Sequence, residues 1–201
     1  MRNWEDGNGT ITLKRTELPE TEKKVSLSMS KNIALMAIKI LITLFLAFVV
    51  VYSVGMKVTV SGNSMESIIS DGDRVLVNRL VYSLSEPQAG DVIVFLPNGN
   101  EKSHYYVKRV VAVPGDTVLI SDGVLYVNGE MYDDEDTEAI VNAGLAEEEI
   151  TIGEDEYFVL GDNRNSSEDS RYANIGNIKM EYIVGKAWFY YSSLRDMGRV
   201  Q

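Results

Sequence analysis

From Ile40 to Met56 the chain runs for 17 residues without a charge (ILITLFLAFVVVYSVGM). With the segment from Asn32, interrupted only by Lys39, the mostly apolar stretch reaches about 25 positions, and a helix needs roughly 20 to cross a bilayer. The expectation is a single transmembrane helix over residues 32–56, with Lys39 snorkelling to the headgroups. The competing readings are a cleaved signal peptide and a buried core helix. A signal peptide has a shorter apolar core and a small-x-small cleavage site, whereas Val54-Gly-Met-Lys-Val-Thr-Val60 follows here without Ala-x-Ala.

Charge divides across this segment. Seven basic and five acidic residues precede Ile40, and 12 basic against 25 acidic lie from Lys57 onward, a net of −13 there where the whole chain has −11. Lys23, Lys24, Lys31 and Lys39 flank one end and Lys57 alone lies close on the other. The positive-inside rule then places residues 1–31 in the cytosol as a mobile polar tail, and residues 57–201 outside. So acidic an exterior argues against nucleic acid as a partner. The absence of cysteine excludes disulfides and thiolate metal sites, and a lone histidine, His104, leaves most His-based metal and triad chemistry without parts. No motif calls for a cofactor or a metal, and nothing specifies an oligomeric state.

Beyond Lys57 the chain breaks into short β-branched or alternating runs separated by Gly, Pro, Asn and Asp. Strands are expected at 57–60, 73–78, 91–95, 105–113, 117–120, 124–127, 156–160 and 181–191, with a type I′ hairpin at Asp122-Gly123 and a further turn at Asn128-Gly129. The fold class is mainly β: an antiparallel sheet domain behind one N-terminal helix. Residues 132–149 form an acidic excursion around a short helix expected at Ile140–Leu145. A solvated surface segment accounts for it better than a cation site, since the carboxylates lack calcium-loop spacing.

Val60-Ser-Gly-Asn-Ser-Met-Glu-Ser67 places Ser64 in a turn just after a strand, where a hydroxyl can be exposed with its own N–H free to meet an oxyanion. Such serines are mostly plain turn formers, so a base is required. His104 and Lys108 are the candidates. They share a strand face about 13 Å apart, so only one can serve Ser64. Lys108 lies among β-branched and aromatic residues, where burial lowers the pKa of a lysine.

Five segments in order decide between them by resemblance. Ser61-Gly-Asn-Ser-Met65, Gly72-Asp-Arg-Val-Leu-Val-Asn78, Gly90-Asp-Val-Ile-Val-Phe95, Tyr106-Val-Lys-Arg-Val-Val-Ala-Val-Pro-Gly-Asp116 and Gly161-Asp-Asn-Arg-Asn-Ser-Ser-Glu-Asp-Ser-Arg171 resemble the boxes of the bacterial type I signal peptidases. The likeness runs over nearly all of residues 30–200. It implies an anchored serine endopeptidase with Ser64 as nucleophile and Lys108 as general base. It implies supporting roles for Gly62, Met65, Arg109, Asp162 and Arg164, and leaves His104 incidental. The implied substrates are exported preproteins with small residues at the first and third positions before the cut, met at the lipid bilayer. Trp188-Phe-Tyr-Tyr191 reads as strand core and cover rather than a lipid contact. Two other readings are a self-cleaving Ser/Lys protein and a catalytically impaired β-rich scaffold.

The chain departs from the family pattern in three places. Ser67-Ile68 stands where Pro-Thr is usual, which predicts a looser nucleophile turn with Ser67 as a nearby second hydroxyl. Asn165-Ser166 replaces Asp-Asn. Leu160 occupies a position where some members carry a hydroxyl that orients the lysine.

Overall fold

The computed structural model describes residues 20–54, 56–66, 68–132, 138–193 and 196–200. The chain divides into an N-terminal unit, Met1–Phe48, and a second unit, Val49–Gln201.

Helix α1 spans Glu20–Val54 and contains a stretch, Lys31–Tyr52, of mean hydropathy 2.8. From Ile33 to Phe48 its large apolar side chains are exposed rather than packed. This is the opposite of a core helix, and suits a lipid environment. The helix begins well before the apolar run, so the described part of the expected mobile tail, residues 20–30, is helical. Once the apolar turns have nucleated, each further residue adds a hydrogen bond at little cost.

Among its described residues the second unit has twelve strands, all paired antiparallel: β1 (Met56–Thr59), β2 (Arg74–Asn78), β3 (Val92–Phe95), β4 (Tyr106–Ala112), β5 (Thr117–Ser121), β6 (Val124–Val127), β7 (Glu130–Met131), β8 (Ile150–Thr151), β9 (Glu156–Leu160), β10 (Ile178–Lys179), β11 (Ile183–Ser193) and β12 (Asp196–Arg199). The larger sheet runs β1-β2-β11-β3-β4-β9-β10, with β12 also on β11, and the smaller runs β7-β6-β5-β8. Strand β3 is buried at all four positions because both of its faces carry core. Val92 and Val94 join Val58, Val75 and Val107 on one side, while Ile93 and Phe95 join Val110, Val159 and Ile178 on the other. A third cluster, with Val118, Ile120 and Leu125, fills the small sheet against Phe158 and Leu160.

Asp122 and Gly123 both have positive φ, so β5–β6 turns through the predicted type I′ geometry; Asn128 and Gly129, expected only as a further turn, also both have positive φ and join β6 to β7. The acidic excursion departs from expectation. Instead of a helix at 140–145 there is one 3₁₀ turn at Gly144–Glu147, and Ile140 and Ala146 are buried in the third cluster. Most of residues 138–149, Glu138 and Glu147–Glu149 included, are exposed, and Ile140 and Ala146 anchor the segment to the core; residues 133–137 lie outside the described part. Trp188 to Tyr191 are half-buried on β11, in keeping with their reading as strand cover.

Two of the strand edges left open among the described residues belong to β4 and β1. Tyr106–Arg109 pairs with β3 on one side, but β9 joins the other side of β4 only from Arg109 onward. Strand β1 pairs with β2 alone.

Candidate active site

These two open edges line a cleft of about 600 Å³, walled by Lys57–Ser64 on one side and Ser103–Lys108 on the other, with Ser166 and Glu168 completing it. Ser64 and Lys108 both face it. So does His104, which precedes β4 instead of lying on it as the sequence suggested, and is exposed.

Ser64 is presented by a tightly held turn. Val60 N–H donates to the Asp73 carbonyl and Gly72 N–H to the Val60 carbonyl, which closes the loop at its base. Within the loop Gly62 adopts φ +90°, a conformation that strains any side chain, and its N–H donates to Asp71 Oδ1 at 2.7 Å. Met65 is wholly buried below the turn and its carbonyl accepts from the N–H groups of Ile68 and Ile69, while Ile69 is buried beside it. Around the place where Pro-Thr is usual, buried Met65 and Ile69 and the Gly62–Asp71 hydrogen bond anchor the described part of the turn. Ser67 lies outside the described residues. No described residue accepts from the Ser64 N–H.

Lys108 pairs in register with Ile93 and is 4% exposed. Burial lowers its pKa to about 8 from 10.5, outweighing the opposite pull of Asp169 and Glu168, with Arg171 adding to the depression. Its Nζ lies 5.6 Å from the Tyr106 ring centroid.

The loop after β9 binds the two segments together. Asn163 N–H donates to the Ser64 carbonyl at 3.0 Å. Asp162 takes two bonds from Arg109, Nε at 2.7 Å and Nη2 at 2.8 Å, and Arg109 Nη1 reaches the Gly90 carbonyl at 2.8 Å. Arg109 and Asp162 thus brace the loop against the strand that carries Lys108. Arg164 contributes its carbonyl, an acceptor for Arg171 Nη2.

Sequence alone does not single out three further residues of this loop. Asp169 and Arg171 are almost fully buried and pair through Nε–Oδ1 at 2.8 Å and Nη2–Oδ2 at 3.0 Å, and Asp169 also accepts the Gly161 N–H. Ser167 is buried and its Oγ has no hydrogen-bond partner among the described residues. A Cβ built on Gly161 would lie 2.3 Å from this Oγ and 2.5 Å from the Ser64 carbonyl oxygen, so Ser167, Gly161 and Ser64 converge. The available signal was Ser-x-Asp-x-Arg in a loop too short to bury charge without an internal ion pair. Leu160, by contrast, is fully buried in the third cluster. Asn165 ties the loop to the acidic excursion, with Oδ1 accepting from Val141 N–H at 2.9 Å and Nδ2 donating to the Ala139 carbonyl at 3.0 Å. A carboxylate could only accept there. Among the described residues no group of three His, Cys, Asp or Glu is arranged to hold a metal.

Residues 33–192 match the family model described as signal peptidase, peptidase S26. Signal peptidase IB of Staphylococcus aureus is 36% identical over 173 residues, covering 74% of this chain and 86% of the relative. Probable signal peptidase I-2 of Synechocystis is 36% identical over 135 residues, covering 64% of this chain and 59% of the relative's length. A signal peptidase I of Enterococcus faecalis, known from a crystal structure, is 30% identical, with 51% of this chain and 97% of that chain covered at a TM-score of 0.39. With four-fifths of its length matched by the family model, the chain belongs to the peptidase S26 family of signal peptidases.

Proposed function

We propose that the chain is a membrane-anchored endopeptidase that removes signal peptides from exported preproteins, with Ser64 as nucleophile and Lys108 as general base. The observation that carries this reading is a buried, desolvated lysine sharing one cleft with a serine in a braced turn. With a pKa of about 8, about one Lys108 in ten is neutral at pH 7, against fewer than one in a thousand for an ordinary lysine. Neutral Lys108 takes the Ser64 proton as Oγ bonds to the scissile carbonyl carbon. The oxyanion meets the Ser64 N–H. Gly62 assists by shape, since its own N–H is committed to Asp71 and open space surrounds the place of its missing side chain. Collapse breaks the C–N bond, the Lys108 ammonium protonates the leaving amine, and water, deprotonated by Lys108, hydrolyses the Ser64 ester.

The substrate adds as an extended strand between the open edges of β1 and β4, its small first and third side chains before the cut entering shallow apolar pockets. The anchor keeps residues 1–31 in the cytosol and the catalytic unit, 57–201, outside. Ser64 follows the expected span, residues 32–56, by eight residues of chain.

Detergent-solubilised protein incubated with an Ala-x-Ala preprotein should cleave after the second Ala, and Ser64→Ala and Lys108→Ala should each abolish turnover. No cleavage by the unaltered protein would leave the scaffold reading standing, and full activity in Lys108→Ala would move the base to His104.

A further inference from the structure

The proposed chemistry leaves one charge of the cleft unused. Glu168 is the cleft's single carboxylate among the described residues. It is exposed, yet both its oxygens are fixed: Tyr106 Oη donates to Oε2 at 3.2 Å and Asn174 Nδ2 to Oε1 at 3.1 Å. Both partners are neutral, and no ion pair with a described residue offsets the charge. Tyr106 precedes Lys108 by two residues on β4, hence on the same face, and its ring lies beside Lys108 Nζ. The carboxylate therefore stands about one tyrosine ring from the proposed base. Besides Lys108 and Glu168, the charged or titratable side chains lining the cleft are Lys57, His104, Tyr105 and Tyr106; Lys57 precedes Ser64 by seven residues and His104 precedes Lys108 by four.

We propose that Glu168 is a specificity-determining residue, favouring a cationic over an acidic substrate side chain within two residues of the scissile bond. The inference rests on the signal-peptidase reading above. Small residues occupy the first and third positions before the cut, so the positions open to charge are the second before it and the first two after it. A carboxylate already held by two hydrogen bonds loses little freedom when a substrate lysine approaches it, and it repels a substrate glutamate by a similar amount. For a solvent-exposed pair this amounts to about two- to fivefold each way, or roughly tenfold between Lys and Glu at low ionic strength.

The test uses Ala-x-Ala peptides identical except for Lys, Gln or Glu at each of the three open positions, with kcat/KM measured on the full-length solubilised protein. Expected is a Lys-to-Glu ratio of roughly ten at one or more positions, falling as salt is raised, collapsing towards one in Glu168→Gln and inverting in Glu168→Lys. Equal ratios in the unaltered protein and Glu168→Gln, with the Gln peptide cleaved by both, would overturn the inference and leave the peptidase reading intact. A ratio in the unaltered protein that ignores salt would overturn it without any variant. Failure of the unaltered protein to cleave the Gln peptide would overturn both.

Discussion

Lys108 shows how one residue trades stability for reactivity. In the unfolded chain its pKa is the ordinary 10.5, and in the folded protein about 8. Below pH 8 both states carry the proton and the folded state bears the whole cost of a buried ammonium. Between pH 8 and 10.5 the folded chain has released the proton while the unfolded chain keeps it, so stability rises with pH, and above 10.5 the cost is gone. Lys108→Met keeps the volume and removes the charge. It should therefore stabilise the protein at pH 7 by up to about 3 kcal/mol, an advantage that fades towards pH 10.5, read from denaturant midpoints at both values. A midpoint unchanged at pH 7 would show that the lysine is not desolvated. The same ionisation governs rate. For a neutral substrate, kcat/KM should climb through a midpoint near pH 8 to a plateau, and because the Glu168 charge favours the ammonium, Glu168→Gln should move that midpoint to lower pH. An acid limb that begins only above pH 10 would contradict the depressed pKa of Lys108.

At the scale of elements, the loop Gly161–Arg171 braces the nucleophile turn, meeting the Ser64 carbonyl through the Asn163 N–H and by the close approach of Gly161. A methyl there would lie 2.5 Å from the Ser64 carbonyl and 2.3 Å from Ser167 Oγ. Gly161→Ala must push the two segments apart, and a displacement of about 1 Å at a reacting group can cost about 100-fold. The expected outcome is a fall of that order in kcat with the far-ultraviolet spectrum unchanged; full activity would mean that the loop does not set the position of Ser64. From the other side, Asp71→Ala should lower kcat about tenfold by freeing Gly62, while Asp71→Asn, whose oxygen still accepts, should retain most activity.

The elements also show which signals a sequence carries. Strands β1 to β6, β9 and β11 were legible from β-branched runs, the β5–β6 hairpin from Asp-Gly, and a further turn from Asn-Gly. The two-residue strands β7, β8 and β10 were not, since so short a pairing has no period to read, and β12 (Asp-Met-Gly-Arg) has no β-branched residue to mark it. The helix expected at 140–145 failed because Ile140 and Ala146 are drawn into a core that local propensity does not register. Ser64 and Lys108 were legible as family boxes. The buried Asp169–Arg171 pair was not, because its meaning lies in Asn142, Gly161 and Ser167, which only the folded chain brings near.

At the scale of the whole molecule, charge segregation makes a topological claim that the fold alone does not contain. A bare count of −11 describes an acidic protein, but 25 of the 30 acidic residues follow the apolar helix, and four of the seven lysines and arginines that precede it lie between Lys23 and Lys39. Orientation responds to lysine and arginine in the short segments flanking a span, whereas acidic residues contribute little. Residues 1–31 should thus stay in the cytosol whatever the −13 beyond Lys57. The absence of cysteine makes this directly measurable, since any introduced cysteine is the single thiol in the chain. In intact cells a membrane-impermeant maleimide should label Glu101→Cys, at an exposed position of the second unit, and should reach Asn3→Cys only after the membrane is permeabilised. The reverse pattern would put the Ser64 cleft in the cytosol, away from the side on which exported preproteins are cut, and the assignment to signal-peptide removal would fall with the topology.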